Sequence, residues 1–321
     1  MGEQVADALT TSGLRGTLPV GAELPRVGRM SLGPVPIGFS LRRTAMSHGW
    51  CALAPTAYDD RTNTLHRTLR LPDAGPLTVT VTQSRDGRLR ASWGRTAGTC
   101  ADRVAIRAQA RHMLALDDDL ADLHLRCAAV PGLEWVAELA VGRILRSPTV
   151  FEDLAKTLAT TNCSWRLTEL MTERIVASLG EPGPAGERAY PLPQSFVKAG
   201  ESHFTDVVRA GYRARAFVEL AQQTGDDVLD SASWFDPALG DDDVLGRVRS
   251  LRGFGPYAAE GMLGLLGRPR GLALDSWIRA RLPEVLGRAA MTDAEIAARY
   301  TPLGRWAGLG LWLELTRDWF E

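Results

Sequence analysis

The residues best suited to chemistry in this chain are a carboxylate, Asp275, and a glycine-rich turn upstream of it, residues 253–257. Apolar residues at helical spacing flank that turn, which predicts two helices joined by a hairpin. Gly253 and Gly255 permit a sharp turn and a close backbone approach to a partner, and Pro256 suits the first position of a helix. Free amides at a helix start can bind a phosphate. Asp275 should directly precede another helix, either as its cap or as a charged group that stabilises a cation and activates water.

The GFGPY turn followed by an aspartate resembles the helix-hairpin-helix DNA glycosylases, the HhH-GPD superfamily, which includes 3-methyladenine and 8-oxoguanine DNA glycosylases. The resemblance implies a base-excision-repair enzyme that flips a damaged base out of double-stranded DNA and hydrolyses its N-glycosidic bond. It assigns Asp275 as the catalytic aspartate, and Gly253 and Gly255 to the turn that binds a DNA phosphate. The expected substrate is an alkylated or otherwise modified purine, since alkylation weakens the glycosidic bond.

Tyr257 bears on the reaction subclass and on the base pocket. In members of this superfamily that also cut the strand, the corresponding position carries a lysine nucleophile, whereas alkylbase glycosylases carry an aromatic residue there. Lys156 and Lys198 are the only lysines in the sequence, and Schiff-base chemistry needs an amine. The resemblance therefore implies a monofunctional enzyme that uses water, leaves an abasic site and lacks AP-lyase activity. The alternative for Tyr257 is a position in the core.

Two further segments resemble the 8-oxoguanine glycosylases. Residues 210–217, AGYRARAF, are similar to the LGYRARYV segment of that family, whose tyrosine wedges into the base stack and whose arginine reads the estranged cytosine. The resemblance implies DNA-binding roles for Tyr212 and Arg213. Asn162, in the Thr161-Asn162-Cys163 turn, would fill the gap that the flipped base leaves. The alternative is a solvated arginine surface and a helix cap.

The tryptophans include candidates for the base pocket. Trp312 matches the aromatic residue that stacks on the extruded base in this superfamily, and Trp165 is a weaker candidate for the same pocket. Trp277 follows Asp275 by two residues, where some relatives place a histidine that contacts a phosphate. Gly308 replaces the glutamine that reads the purine in 8-oxoguanine enzymes, so we expect more room there or a differently shaped lesion. A core position is the ordinary alternative for each tryptophan.

The elements that must position these residues change type along the chain. Apolar residues and threonines alternate from Leu77 to Thr82, which predicts a half-buried strand, and Asp86-Gly87 then predicts a hairpin turn. From Ala101 onward the apolar spacing is helical. We therefore expect an α+β fold: a mostly α-helical HhH-GPD glycosylase fold with a small N-terminal antiparallel β-sheet domain. The expected divisions are a flexible tail (1–28), a β-rich domain (29–115) and a helical glycosylase domain (116–321), with the lesion cleft between two helical subdomains.

The composition is that of an ordinary globular protein, with 45% hydrophobic residues and 37 basic against 38 acidic residues. The near-neutral charge argues against a protein that coats nucleic acid non-specifically, but it is compatible with a local basic groove. Apolar runs in the sequence stay below the ~20 residues of a membrane span. We expect a cytoplasmic, nucleoid-associated monomer whose partner is double-stranded DNA containing a damaged base.

Neither the cysteines nor the histidines of the sequence have the spacing of a metal site. No cysteine follows Cys163, so the C-terminal four-cysteine iron–sulfur cluster of some relatives is not expected. We expect no cofactor, apart from a monovalent cation that backbone carbonyls of the hairpin could hold. Surface or satisfied core roles are expected for the histidines: His48, His66, His112, His124 and His203.

Two other functions remain open from the sequence. The first is a non-catalytic helix-hairpin-helix DNA-binding protein, because the same hairpin occurs in proteins that only grip DNA. The presence of Asp275 after the hairpin speaks against it. The second is an N-glycosidase that acts on nucleosides, on RNA or on bulky lesions. The need for the phosphate-binding turn separates these cases, since an isolated nucleoside requires no hairpin.

Overall fold

The computed structural model describes residues 26–94, 98–225, 232–236 and 238–320. Most of the predicted N-terminal tail, residues 1–25, lies outside these ranges. The last three residues of that predicted tail, 26–28, instead begin the first strand. No helix in the described ranges is both long enough and apolar enough to cross a bilayer.

The N-terminal part is a five-stranded antiparallel sheet with the strand order β1-β5-β4-β3-β2. The alternating strand and the Asp86-Gly87 hairpin are both confirmed, since β4 and β5 pair across that turn and Gly87 has a φ of +81°. The strands are β1 (Arg26–Ser31), β2 (Thr56–Asp59), β3 (Thr64–Leu71), β4 (Gly75–Gln83) and β5 (Leu89–Gly94).

Helices make up the rest of the described chain, which confirms the predicted α+β class. The helices are α1 (Leu41–Ala45), α2 (Cys100–Met113), α3 (Ala121–Ala128), α4 (Glu134–Glu138), α5 (Val150–Thr160), α6 (Trp165–Leu179), α7 (Pro193–Asp206), α8 (Ala214–Thr224), α9 (Ala232–Phe235), α10 (Asp241–Arg249), α11 (Pro256–Leu265), α12 (Ser276–Val285), α13 (Asp293–Tyr300) and α14 (Ala307–Leu315). Short 3-10 helices lie at Gly49–Ala52, Gly211–Arg213, Thr301–Trp306 and Arg317–Trp319.

The core continues from the sheet into the helices. Alternate residues of β4, Leu77, Val79 and Val81, are buried, and α2 covers this face through Ala110 and Met113. Alternation buries one face of a strand because successive side chains point to opposite sides of the sheet.

A buried ionic cluster joins the sheet to α5. Arg67 of β3 donates to both carboxylate oxygens of Glu152, at 2.7 and 2.6 Å, and Lys156 lies 2.7 Å from Glu152. Burial disfavours the charged form of Glu152, but the two cations outweigh it and lower the pKa of that carboxyl. Next to the cluster, Trp50 donates to Asp153 at 2.7 Å. Removing one member of such a cluster leaves a buried charge unpaired, which destabilises proteins by about 3–5 kcal/mol.

Candidate active site

The predicted hairpin connects α10 to α11. Gly253 has a φ of +90°, and a Cβ on it would lie 2.6 Å from the side chain of Leu158 in α5. This position therefore requires glycine for both its backbone conformation and its packing. Gly255 differs, because its φ is −72° and an added Cβ would meet nothing within 4 Å. Gly255 is the N-cap of α11 and has no side chain to occupy the first amides, so an anion can approach them.

Asp275 is the N-cap of α12, as the sequence predicts. Its Oδ1 accepts a hydrogen bond from the backbone N–H of Ile278 at 2.8 Å. Its Oδ2 accepts no hydrogen bond from any residue that the structure describes, and the side chain is partly exposed. The capping role and a chemical role are therefore compatible: one oxygen fixes the carboxylate while the other is available to a substrate or to water.

Tyr257 lies in the first turn of α11, beside Asp275. Burial of the phenol and, second, the negative charge of Asp275 raise the pKa of Tyr257, so its hydroxyl stays protonated at neutral pH. The side chain is partly exposed and does not belong to the buried core. The core alternative for Tyr257 is therefore wrong, and its ring borders an accessible space next to the carboxylate.

The exposed side of α11 continues from Tyr257 along two glycines. Gly261 and Gly264 follow at helical spacing, and a Cβ added to either would meet nothing within 4 Å. The helix thus presents bare backbone to open space over about 10 Å, given a rise of 1.5 Å per residue. We use the name glycine-lined cleft for six residues: Tyr257, Gly261 and Gly264 of α11, Asp275 beside Tyr257, and the contacting pair Trp277 and Trp312.

Trp277 and Trp312 form an aromatic wall near Asp275. Their ring centroids are 6.5 Å apart, and both side chains are partly exposed. The indole N–H of Trp312 donates to the backbone carbonyl of Ser47 at 2.9 Å, and the edge of Trp319 supports its ring at a centroid distance of 5.6 Å. These contacts fix the orientation of Trp312 and leave part of its surface accessible.

The predicted extra room at Gly308 is wrong. A Cβ on Gly308 would collide with the backbone carbonyl of Gly271 and would lie 3.0 Å from the carbonyl oxygen of Pro269. The N–H of Leu309 donates to that same Pro269 oxygen at 3.2 Å. The backbone of residues 269–271 fills the space that a side chain would occupy, and the open space lies instead over Gly261 and Gly264.

Glu260 lies beside Gly271 of the same segment, and no pattern in the sequence pointed to it. A Cβ on Gly271 would clash with the Glu260 carboxyl, so that glycine makes room for the acid. Its Oε2 is buried and has no hydrogen-bond partner among the described residues. Burial raises the pKa of Glu260, although Arg270 and Arg249 oppose the shift.

Trp165 is not part of the cleft. Only 4% of it is exposed, because its ring packs against Gly49 of the N-terminal part. Its indole N–H donates to Glu169 at 3.0 Å. The prediction that Trp165 lines a base pocket is therefore not supported, since no ring face is open to a ligand.

Asn162, Tyr212 and Arg213 lie together in the structure, and with Thr161 they form what we call the turn cluster. Asn162 has a φ of +46° and donates through Nδ2 to the Tyr212 hydroxyl at 3.2 Å. That hydroxyl donates to the Thr161 carbonyl at 3.3 Å. Tyr212 is 63% exposed, so its ring projects into solvent from a hydrogen-bonded base.

Arg213 has a different place from the one predicted. It is only 6% exposed, and its guanidinium stacks on the Tyr212 ring at 4.5 Å. It donates to the hydroxyl and the carbonyl of Thr161 and to the carbonyl of Ala210. Because all three guanidinium nitrogens bind the protein itself, Arg213 supports the turn cluster in this structure, and its role as a reader of DNA stays a prediction.

A short positive strip connects the turn cluster to the hairpin. Arg215 of α8 and Arg252 of the hairpin are more than half exposed, and both approach Glu219. Gly253 packs near Ala216 of the same helix. With Glu219 between them, these two arginines carry one net positive charge (2 − 1), a local basic surface that is compatible with a nucleic-acid partner.

Similar arrangements occur in solved structures of DNA glycosylases. The 3-methyladenine DNA glycosylase from Archaeoglobus fulgidus is similar with a TM-score of 0.62 and 18% identity, over 89% of this chain and 97% of that one. MBOgg1, solved in complex with a low-affinity DNA ligand, is similar with a TM-score of 0.66 and 16% identity, over 89% and 94%. The Clostridium acetobutylicum 8-oxoguanine glycosylase/lyase, in its apo form, is similar with a TM-score of 0.65 and 14% identity, over 87% and 93%. No family model matches the sequence, and no curated protein sequence does either.

The chain has the same fold as these solved structures. This likeness extends over most of the chain, so it includes both the N-terminal sheet and the helices that form the glycine-lined cleft. The fold confirms the predicted architecture, while the roles of single residues rest on the geometry described above.

Lys156 is buried and paired, away from the cleft residues. Lys156 is 1% exposed and is paired with Glu152 and with Ser147, whose hydroxyl lies 3.3 Å away. Burial lowers the pKa of Lys156, and the facing Glu152 opposes that shift. The described residues also contain no group of three or more His, Cys, Asp or Glu side chains able to hold a metal ion.

Proposed function

We propose that this protein is a monofunctional DNA N-glycosylase of base excision repair. It takes a damaged base, an alkylated or otherwise modified purine, out of double-stranded DNA and hydrolyses its glycosidic bond. The observation that carries the proposal is the placement of Asp275, with one free carboxylate oxygen, beside the neutral Tyr257 and the open face of α11. The likeness in fold to DNA glycosylases supports the class of reaction.

The hairpin and the strip place the substrate. A DNA phosphate binds the first amides of α11 at Gly255, and Arg215 and Arg252 attract the backbone. The extruded nucleotide enters the glycine-lined cleft, where Trp312 offers an aromatic surface to the base. Base–aromatic stacking contributes about 1–3 kcal/mol per base.

Asp275 performs the chemistry at the sugar. The bond from C1′ to the base nitrogen breaks, and its electron pair leaves with the base. Oδ2 of Asp275 stabilises the positive charge that develops on the sugar and accepts a proton from the water that attacks C1′. The products are the free base, which takes its proton from solvent, and an abasic site.

The residue at position 257 and the pairing of Lys156 support a monofunctional reaction. Tyr257 occupies the position at which a nucleophilic lysine would stand, and its phenol remains neutral. Lys156 is held in the buried ionic cluster. Water is therefore the nucleophile, and no Schiff base forms with the sugar.

The remaining features of the proposal follow from the sequence. The partner is double-stranded DNA containing a damaged base, and the protein acts as a nucleoid-associated monomer. The reaction needs no cofactor. A monovalent cation held by backbone carbonyls of the hairpin and the lack of an iron–sulfur cluster stay predictions.

Base release from a panel of duplexes tests the proposal. The panel contains alkylated purines, 8-oxoguanine, hypoxanthine and uracil, and each reaction is divided into samples with and without hot alkali. We expect strand cleavage only after alkali and no covalent complex after borohydride treatment. Cleavage without alkali, or a borohydride-trapped complex, would show lyase activity. Tight binding without any release would favour the non-catalytic DNA-binding alternative.

A further inference from the structure

His48 is a histidine whose two ring nitrogens have different surroundings. Nε2 lies 2.6 Å from the backbone carbonyl oxygen of Leu145. A carbonyl only accepts hydrogen bonds, so Nε2 carries the proton. Burial, assisted by the positive charge of Lys156 and opposed by the Leu145 hydrogen bond, lowers the pKa of His48 to about 4. At neutral pH the ring is therefore neutral, and Nδ1 is a hydrogen-bond acceptor.

Nδ1 of His48 has no hydrogen-bond partner in the part of the chain that the structure describes, and the residue is partly exposed. The ring is held in place, since it also packs against Trp50 at a centroid distance of 4.7 Å. A fixed acceptor without a protein partner needs little reordering to bind a donor.

Two contacts place His48 at the end of the glycine-lined cleft that is remote from Tyr257. The preceding residue, Ser47, accepts the hydrogen bond from the Trp312 indole. The carbonyl that His48 binds belongs to Leu145, and the next residue, Arg146, donates to the carbonyl of Leu265 at 2.6 Å. Leu265 ends α11, whereas Tyr257 lies at its start.

In the proposed complex, a purine extends from Asp275 in the direction of His48. With the sugar at Asp275, the edge of the base opposite the sugar points away from the start of α11, along the bare backbone of Gly261 and Gly264. That edge carries the N1–H of oxo-purines or the exocyclic amino group of amino-purines. A neutral imidazole nitrogen accepts a hydrogen bond from either group.

We propose that Nδ1 of His48 accepts a hydrogen bond from an N–H on the far edge of the extruded purine, and that this contact determines which bases the cleft retains. The inference rests on the proposed glycosylase function and adds to it a substrate class: purines that present a donor on that edge. His48 is then a specificity-determining residue contributed by the N-terminal part of the chain.

Two substitutions separate this role from simple structural support. In His48→Asn the side-chain oxygen stands near the position of Nδ1, so the acceptor is kept while the reach to Leu145 is lost. In His48→Gln the amide N–H reaches the position of Nε2, so the Leu145 contact is kept while the acceptor is lost. The readouts are the single-turnover release of 7-methylguanine from a duplex and the affinity for a duplex with an abasic-site analogue, which has no base to contact.

We expect His48→Gln to slow base release by about ten- to a hundredfold, the effect of one hydrogen bond to a base. His48→Asn should release the base at a rate close to that of the wild type. Both variants should bind the abasic-analogue duplex as the wild type does. His124→Phe is the matched control, because it removes a similar imidazole contact to a backbone carbonyl, that of Val141 at 2.8 Å.

The opposite order, with His48→Asn impaired and His48→Gln active, would overturn the inference and leave His48 as a support for Leu145. Equal activity of both variants would overturn it as well. If the wild type releases another base of the panel instead, the same variants are scored on that base. A wild-type protein that binds the duplexes and releases no base would remove the proposed function itself, and this inference with it.

Discussion

The turn cluster and the glycine-lined cleft lie in the same molecule but are built in opposite ways. In the turn cluster, Thr161, Asn162, Tyr212 and Arg213 are joined by hydrogen bonds and a cation–π contact before any ligand arrives. In the cleft, one oxygen of Asp275 accepts no hydrogen bond from the described residues, and a Cβ on Gly261 or Gly264 would meet nothing within 4 Å. The first region is preorganised to present one ring, and the second keeps its groups available for a ligand.

The two regions are therefore suited to different kinds of contact with a substrate. A preassembled cluster loses little conformational entropy when it binds, so it is suited to a contact that is the same for every substrate. An open cleft with unpaired groups gains its interactions only from the bound molecule, so it is suited to selection and to catalysis. The predictions below test that division, beginning with the largest expected effect.

Asp275→Asn should abolish base release and leave folding and duplex binding intact. Asparagine caps a helix as well as aspartate does, so α12 should keep its start while the negative charge is lost. We expect base release to fall about a thousandfold or more, with little change in duplex affinity. Single-turnover release and a binding titration measure the two effects. Turnover that survives the substitution would remove Asp275 from the mechanism.

Arg213→Ala should loosen the turn cluster. The Thr161–Asn162 turn loses its support, and we expect the discrimination among bases opposite an abasic-site analogue to weaken about tenfold, with Asn162→Ala giving a similar loss. The affinities for four duplexes, one for each opposite base, provide the measurement.

The double variant Arg213→Ala/Asn162→Ala shows whether Arg213 acts by supporting Asn162 or by contacting the DNA directly. If Arg213 acts through Asn162, the double variant should be no worse than either single one. Additive losses would mean that Arg213 contacts the DNA itself. Arg215→Ala is the control, since this exposed residue should weaken binding to all four duplexes alike and reduce the salt dependence.

Gly261 and Gly308 should respond with opposite signs. Gly261→Ala adds a methyl group in open space and a better helix former, so folding stability should rise by about 0.5–1 kcal/mol. Gly308→Ala forces a methyl group against the backbone of Gly271, so stability should fall by about 1–3 kcal/mol. Urea denaturation measures both changes. A Gly308→Ala protein as stable as the wild type would show that residues 269–271 can move away.

The parts of the site that follow from local signals were predictable from the sequence. The hairpin glycines, Pro256 at a helix start and Asp275 as a cap are all specified by neighbouring residues, and the structure confirms each of them. The alternation of β4 likewise depends on its own residues and on the turn that follows it.

The parts that depend on distant segments were not predictable in the same way. The burial of Arg213 requires Thr161 from another turn, and the blocked space at Gly308 requires the backbone of residues 269–271. The sequence shows that a side chain is missing at Gly308, but not which backbone takes its place. The sequence predicts an ordinary surface or core role for His48. The Leu145 carbonyl that sets its tautomer is 97 residues away along the chain, so the sequence does not show this contact.

The hydrogen bond from Trp312 to Ser47 has a consequence for the order of assembly. It joins α14 to a segment that precedes the second strand. During synthesis the N-terminal elements emerge first, at about 5–20 residues per second. The Ser47 carbonyl therefore waits for its partner while the 265 residues up to Trp312 are made, so this wall of the cleft forms late in synthesis.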